Sequence, residues 1–294
     1  MAGCGGGGGG GAQTTAPGSF TVSGTVSAAS GSAADSDVND PAAPYIDNST
    51  LATAQDIPNP VTLGGYVNQP GFGSPGRSLA LPGDTSDIYR VTLTANQTIT
   101  LTIANVAADL NLFLGDLNGG QIDSSTGTGA TEKITVANAG SYLLEVHAAF
   151  GASNYTLVIG QQITAFRQNS PRLDDDFVVG ELVAKFRDTP SNKLFRSAAQ
   201  QAAAHGMTAR AGARGRAMLL GINKQATAAG AAGNAPVLLA GNSKLLAKWE
   251  TLQAIKQLRR QADVEYAEPN YIRRTTLVPS DQFYPLQWHY PLIN

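Results

Sequence analysis

The sequence has a single cysteine, few charged residues and no long apolar run, and each shortage excludes a class of protein. Cys4 alone cannot form a disulfide within the chain or a cysteine-based zinc site. Charged residues make up 14% of the 294 residues, against about 25% in ordinary soluble domains. No stretch approaches the roughly 18 uninterrupted apolar residues that indicate a transmembrane helix. Hydrophobic residues still make up 42%, so the chain can bury cores for about two domains.

Motifs of the common hydrolases and nucleotide-binding enzymes are also absent from the sequence. It contains no Gly-x-Ser-x-Gly elbow, no His-Glu-x-x-His zinc motif and no phosphate-binding P-loop. The three histidines, His147, His205 and His289, stand far apart in the chain. We therefore expect no complete catalytic machinery within residues 1–294 and name no catalytic residue.

The net charge of −2 hides a large difference between the two halves of the chain. Residues 1–165 carry 12 acidic and 3 basic side chains, whereas residues 166–294 carry 10 acidic and 17 basic ones. This change of sign indicates two chemically different domains. The basic residues of the second half are scattered, with no aromatic-rich strand among them, so we expect no nucleic-acid partner. They favour a solvated helix face or a surface that complements an acidic partner.

The first half is predicted to be a tether followed by a β-sandwich. Residues 1–50 combine a glycine run with serine, threonine and alanine, which is typical of a flexible tether. Further on, apolar residues recur at every second position, which predicts strands with one buried face each. These runs cover 89–93, 99–103, 110–114, 134–136, 142–146 and 155–159. So many short strands predict an all-β antiparallel sandwich.

The second half has a different pattern, which begins after a polar linker at 163–176. Its predicted elements are a strand at 177–186, a helix at 196–204, strands at 217–222 and 236–240, a second helix, and a strand at 264–272. Helical spacing predicts one buried face on the second helix, formed by Leu245, Trp249, Leu252, Ile255 and Leu258. Ser243 is the predicted N-cap of this helix. The order β-α-β-β-α-β predicts a small α+β ferredoxin-like domain.

Six oxygen-bearing side chains near the start of the sandwich are candidate calcium ligands: Asp35, Asp37, Asn39, Asp40, Asp84 and Asp87. Calcium takes about six to eight oxygen ligands. An EF-hand is excluded, because Asp40 stands where that loop requires glycine and Ile46 where it requires glutamate. Two interpretations stay open, a calcium site and a solvated acidic linker with ordinary Asx turns. We expect no other cofactor.

Cys4 follows Met1-Ala2-Gly3 and directly precedes the glycine run. This arrangement resembles the end of a bacterial lipoprotein signal, yet no basic region and no apolar region precede it. Either translation starts upstream and Cys4 carries a lipid anchor, or the cysteine is incidental. The anchor would be the one membrane contact of a protein that we expect outside the bacterial cell or at its surface.

Residues 36–160 resemble a bacterial pre-peptidase C-terminal (PPC-type) domain. The resemblance rests on Asn39-Asp40, Ala54-Gln55, Gly83-Asp84, Asp87-Ile88-Tyr89 and Gly140-Ser141-Tyr142. It implies a β-sandwich that accompanies secreted proteases, and some members of the family bind calcium through such acidic positions.

Residues 177–275 resemble the propeptide of a subtilisin-like serine protease (family S8). The resemblance rests on Glu-Leu-Val-Ala-Lys-Phe at 181–186 and above all on Val-Glu-Tyr-Ala-Glu-Pro-Asn-Tyr at 264–271. Residues 281–290 are similar to the opening of the mature protease. The resemblance implies an intramolecular chaperone and inhibitor whose partner is a subtilisin-like catalytic domain, in cis or in trans. The segment that would run through its cleft and be processed is Tyr271, Ile272, Arg273, Arg274, Thr275, Thr276, Leu277 and Val278.

The sequence departs from this family because the Asp-Thr-Gly, His-Gly-Thr-His and Gly-Thr-Ser-Met motifs of the catalytic triad are absent. The resemblance therefore implies the non-catalytic amino-terminal part of a secreted subtilisin-like serine endopeptidase precursor. The alternative is a stand-alone protease inhibitor or surface adhesion protein, complete as written. The expected organisation is a tether with the acidic cluster at 1–50, the sandwich at 51–162, the linker at 163–176, the propeptide at 177–275, and a processing region with the start of a catalytic domain at 276–294.

Overall fold

The structure is a computed structural model that describes residues 31–40, 43–73, 83–160, 171–187, 189, 195, 197–213, 215–223 and 235–272. The expectations for Cys4, for His289 and for residues 273–294 lie outside these ranges. The described residues form three sheets and two α-helices. Neither of these helices has the length and apolar character needed to cross a bilayer.

Two five-stranded sheets pack face to face, and the predicted sandwich is confirmed. The first sheet has the order β1 (Ser32–Ala34), β3 (Val61–Asn68), β10 (Ala152–Gly160), β5 (Thr98–Ile103) and β8 (Thr131–Thr135). The second has the order β2 (Gln55–Asp56), β4 (Ser86–Leu93), β9 (Gly140–Phe150), β6 (Asp109–Gly115) and β7 (Gln121–Ser125). Neighbours are antiparallel except for the edge pairs β1–β3 and β2–β4. Strand β1 belongs to the segment that the sequence assigned to the tether.

The core between the two sheets consists of the residues that alternate along each strand. Leu63, Leu101 and Leu157 of the first sheet meet Leu112 and Leu144 of the second, and all five are fully buried. Each such side chain contributes about 1.5–3 kcal/mol when it leaves water. The period-2 pattern therefore predicts the inward face correctly.

The prediction of one buried face per strand is wrong for the second sheet. All seven residues of β6 are buried, and so are residues 143–148 of β9. Phe113 and Leu143 point away from the sandwich core and pack against residues that come after 170. The reason is that the carboxy-terminal part of the chain covers the outer face of this sheet.

The carboxy-terminal part, residues 171–272, forms a four-stranded antiparallel sheet with the order β12 (Met207–Gly212), β13 (Met218–Ile222), β11 (Phe177–Phe186) and β14 (Val264–Tyr271). Helix α1 (Ala198–Ala204) follows β11, and helix α2 (Ser243–Arg259) precedes β14. Along the chain the order is strand, helix, strand, strand, helix, strand. We call this part the α/β unit.

One predicted element of the α/β unit is wrong, and one strand was not predicted. Residues 236–240 are not a strand, since Val237–Leu239 form a 3₁₀ turn that buries Leu238 and Leu239. A short apolar run does not distinguish a buried strand from a buried turn. The missing strand is β12, in which only the side chain of Met207 is buried, so it carries almost no hydrophobic signal.

Helix α2 is buried on two sides, where the sequence predicted one. Thr251 accepts a hydrogen bond from the backbone N–H of Gly180 in β11 (2.9 Å), whereas Trp249 lies against His147 of the sandwich at a ring distance of 5.6 Å. The helix is therefore a layer between the second and third sheets. Its N-cap is Asn242 and not Ser243, because the Asn242 side chain accepts from the Leu245 N–H (3.1 Å).

Replacing the cap tests this boundary. Asn242→Ala should lower the free energy of unfolding by about 1 kcal/mol, since an N–H of the first turn loses its acceptor. Ser243→Ala, one position on, should change it by less than about 0.5 kcal/mol. Urea unfolding of the full chain followed by circular dichroism measures both. Equal losses, or a larger loss for Ser243→Ala, would restore Ser243 as the cap.

Candidate metal centre

Four buried aspartates come together where two separate segments meet at one end of the sandwich. Asp35 and Asp37 follow β1, and Asp84 and Asp87 stand at the start of β4. One carboxylate oxygen of each lies within 4.8 Å of the others. All four residues are at most 5% exposed. We call them the carboxylate cluster.

Strand β3 positions both halves of the carboxylate cluster. The parallel pairing of β1 with β3 places Asp35 beside Gly64, whose carbonyl accepts from the Asp35 N–H (2.9 Å). At the last residue of β3, Asn68 forms an isolated bridge with Asp84, and the Asn68 side chain accepts from the Asp84 N–H (3.0 Å). The backbone is therefore fixed by hydrogen bonds while the carboxylates stay available.

Asn48 is a fifth member of the site, which the sequence reasoning missed. Its side-chain amide donates to Asp35 Oδ1 (2.8 Å), and its backbone N–H donates to Asp37 Oδ2 (3.4 Å). Asn48 is fully buried, and its backbone carbonyl oxygen accepts from the Ile88 N–H of β4 (3.0 Å). The adjacent Asp47 was the one available signal, since an Asp-Asn pair in a loop adds oxygen ligands.

Tyr155 also belongs to the site, and its place in an alternating strand predicted only a core residue. Its hydroxyl donates to Asp87 Oδ2, and the hydroxyl of Tyr89 is hydrogen-bonded to it in turn. Both tyrosines are buried in the sandwich core. They hold one oxygen of Asp87 and leave the other facing the carboxylate cluster.

Six buried oxygen atoms of the site have no hydrogen-bond partner. They are Asp35 Oδ2, Asp37 Oδ1, Asn48 Oδ1, both oxygens of Asp84, and Asp87 Oδ1. Within the described ranges, no lysine or arginine forms an ion pair with these aspartates. Unpaired carboxylates are costly to bury, and six oxygens match the lower end of the about six to eight that calcium takes.

The electrostatics of the carboxylate cluster follow from burial and mutual repulsion. Burial, with the neighbouring charge of Asp35, raises the pKa of Asp37 to about 8. Burial, with the charges of Asp37 and Asp35, raises the pKa of Asp84 to about 9. The pKa of Asp87 is raised well above its ordinary value for the same reasons. A cation that binds here at neutral pH therefore displaces protons.

The structure places the other two predicted ligands differently. Asp40 is exposed and lies outside the carboxylate cluster, and Asn39 is half-buried. Both line a surface groove of about 510 Å³ whose floor is Gly64 and Gly65. Four of the six predicted residues are thus brought together.

A serine, a histidine and a glutamate also meet, on the outer face of the second sheet. Ser86 Oγ lies 2.8 Å from His147 Nδ1 and 2.8 Å from Glu145 Oε1. All three side chains are buried beneath the α/β unit, and Glu145 also accepts from the N–H groups of Val237 and Leu238. A nucleophilic serine must be accessible to its substrate, and Ser86 is not. We therefore assign these three residues a structural role in the contact between the second sheet and the α/β unit.

Comparison with known proteins adds one assignment. The family described as the bacterial pre-peptidase C-terminal domain matches residues 85–148. Residues 85–148 are a pre-peptidase C-terminal domain. Of the carboxylate cluster only Asp87 lies inside this match; Asp84 immediately precedes it, and Asp35 and Asp37 lie in the segment far upstream. The site therefore joins the pre-peptidase domain to residues outside the matched range.

Solved structures show weak likenesses over about a third of the chain. The pre-peptidase C-terminal domain of a collagenase from Bacillus anthracis is 18% identical, with 36% of this chain and 94% of that chain covered and a TM-score of 0.29. PliG of Aeromonas hydrophila, a periplasmic inhibitor of g-type lysozyme, is 16% identical, with 37% and 97% covered and a TM-score of 0.24. These likenesses carry no argument about function. No curated protein matches the chain.

The raised pKa values predict how stability depends on pH when a chelator keeps the site free of metal. Unfolded Asp84 loses its proton near its ordinary pKa of 3.8, whereas the folded form keeps it up to about 9. Between these values the unfolded state binds fewer protons, so the free energy of unfolding falls as the pH rises, by at most about 1.4 kcal/mol per pH unit for each such group.

Asp84→Asn should therefore flatten this pH dependence and stabilise the metal-free protein at pH 8. Asp56→Asn, which changes an exposed aspartate outside the carboxylate cluster, should keep the slope of the parent protein. Urea unfolding between about pH 5 and pH 8 measures the slopes. A metal-free protein whose stability rises over this interval would contradict the assignment.

Proposed function

We propose that this chain is the calcium-binding, non-catalytic amino-terminal part of a secreted subtilisin-like serine endopeptidase precursor. In this proposal the pre-peptidase sandwich binds calcium at the carboxylate cluster, and the α/β unit is the propeptide that chaperones and inhibits the catalytic domain. The six unpartnered oxygens carry the calcium part of the proposal. The pre-peptidase domain at 85–148 supports the association with a peptidase.

Calcium is the metal that the donor set favours. Every candidate ligand atom is an oxygen, four of the five residues are carboxylates, and no histidine or cysteine takes part. Hard oxygen donors suit calcium and magnesium, whereas zinc prefers nitrogen and sulfur. Magnesium keeps several waters at most sites, so a buried set of protein oxygens favours calcium.

The role of the metal would be to hold the segment at 31–56 against the sandwich. This segment starts in β1 at the edge of the first sheet and ends in β2 at the edge of the second, so it crosses from one sheet to the other. Asp35, Asp37 and Asn48 come from this segment, Asp87 from β4, and Asp84 from the residues just before β4. A cation bound by both parts cross-links them. Because the complete set of ligands is assembled only in the folded protein, binding stabilises the folded state.

Calcium should raise the melting temperature of the full chain. At a calcium concentration about 100 times the dissociation constant, the expected stabilisation is about 2.7 kcal/mol. Terbium, which replaces calcium in oxygen sites, should luminesce on excitation of the nearby Tyr155 and Tyr89, and calcium should quench the signal by competition. Scanning calorimetry and emission spectroscopy measure the two effects.

Asp84→Asn should abolish both effects, and Asp56→Asn should retain them. A melting curve that millimolar calcium leaves unchanged, with no sensitised terbium emission, would sink the calcium site. A response to magnesium as large as the response to calcium would reject the choice of metal but not the site.

The propeptide part of the proposal draws on the topology of the α/β unit. The element order and the sheet order β12-β13-β11-β14 support a ferredoxin-like domain. Helix α2 covers one face of this sheet. The opposite face presents Val183, Leu219 and Tyr266, none of which is fully buried.

In this proposal the catalytic domain binds this open face, and the chain that follows β14 binds the cleft of the catalytic domain. Val183 pairs with Leu219 on one side and with Glu268 on the other, and Lys185 pairs with Tyr266, so these side chains share the open face. Strand β14 ends at Tyr271, and Ile272 still donates to the Asp176 carbonyl (2.9 Å). Residues 273–278 would then continue into the cleft as an extended peptide. Secretion, with Cys4 as a lipid anchor at the cell surface, completes the proposal.

The full chain should inhibit a subtilisin-like catalytic domain from the same organism at micromolar concentration. Tyr266→Asp should weaken binding, because it places a charge in the apolar part of the open face. Val158→Lys changes a similarly exposed residue on the sandwich and should leave binding intact. Peptide hydrolysis and calorimetry measure the result; absence of both inhibition and binding would falsify the propeptide role.

A further inference from the structure

The outer face of the second sheet and the α/β unit share one buried apolar cluster. Alternation along the strands turns Ile88, Phe113 and Leu143 outward, and they are at most 1% exposed. They belong to one apolar cluster with Leu239 and Trp249 of the α/β unit. The sandwich therefore supplies part of the core on which the α/β unit depends.

Buried polar contacts fix how the two parts meet. Lys256 of α2 donates to Asp109 Oδ1 (3.0 Å) and Asn111 Oδ1 (2.8 Å) of β6, and the charged side chains are at most 5% exposed. On the neighbouring strand, Glu145 accepts from the backbone N–H groups of Val237 (2.7 Å) and Leu238 (2.8 Å). Separating the partners of a buried charge pair leaves each charge buried and uncompensated. These contacts therefore favour the one relative position of the two parts in which the partners meet.

Within the described residues, the α/β unit covers one side of helix α2 with its own sheet and has little to cover the other side. Its other described helix, α1, has seven residues, of which only Gln201 and Ala202 are buried. Without the sandwich, Trp249, Lys256 and Leu238 would lose the groups that cover them, which are His147, the Asp109–Asn111 pair and Gly115. A small four-stranded sheet with one short helix has a thin core.

We propose that the sandwich is the folding template of the α/β unit, and that the two remain associated as one body when the chain between them is cut. The surface on the sandwich is the outer face of β4, β9 and β6, and its partner is the α/β unit of the same chain. This inference needs neither calcium nor a peptidase, so it stands or falls separately from the proposed function.

The test begins with the full chain, into which a site for a specific protease is inserted between residues 161 and 170. Trp288→Phe leaves Trp249 as the single tryptophan, because the sequence has only two. After folding and complete cleavage, the halves should co-elute in gel filtration, and the Trp249 emission should stay at the wavelength of the uncut protein. Separation of the halves, whether the α/β half stays folded or unfolds, would overturn the proposal.

A matched pair of lysine variants tests the surface itself. Lys256→Met in the cleaved protein should weaken association at least about tenfold, because Asn111 Oδ1 loses its donor and the buried Asp109 keeps only the longer ion pair with Arg260 (3.5 Å). Lys185→Met removes an exposed lysine that pairs with Glu265 away from this surface and should leave association unchanged. Dilution series in gel filtration give both dissociation constants. Equal dissociation constants for the two variants would reject this face as the template.

Discussion

The middle of the second sheet of the sandwich is buried on both faces, and the rest of the structure is arranged around that constraint. Its inner face meets the first sheet, and its outer face meets helix α2, which in turn lies on the third sheet. The described part of the chain is thus a stack of four layers. All seven residues of β6 are buried, so its polar side chains depend on partners within the protein rather than on water.

This constraint separates two kinds of buried polar residue in one small region. On the covered outer face, Asp109 has Lys256, and Glu145 has two backbone N–H groups and Ser86. At the carboxylate cluster, Asp84 is equally buried, yet neither of its oxygens has a partner. Both kinds are acidic and inaccessible, so burial alone does not identify a ligand site. The unpartnered oxygens are the difference on which the proposed calcium site rests, because a bound cation would satisfy several of them at once.

Local sequence patterns predicted those features that depend on one strand or one loop at a time. The period-2 runs marked six strands of the sandwich, and the acidic spacing marked four residues of the carboxylate cluster. Features that depend on the docking of the α/β unit on the sandwich could not be predicted from these local patterns. The alternation of β6 is the same whether its outer face meets water or helix α2, so the second buried face left no signal. The hydrogen bond from Tyr155 to Asp87 could not be predicted either, because a tyrosine at an inward position of a strand predicts only a core residue.

Strand β4 shows how one short segment contributes to the carboxylate cluster and to the contact with the α/β unit together. Ser86 and Ile88 point outward, to the Glu145–His147 contact and to the apolar face under the α/β unit. Asp87 and Tyr89 point inward, Asp87 to the carboxylate cluster and Tyr89 to the hydroxyl of Tyr155. Because successive side chains alternate between faces, a shift of the strand by one residue would exchange the two sets and destroy both sites. The same eight residues therefore place Asp87 of the carboxylate cluster and part of the surface that holds the α/β unit, and neither can move without the other.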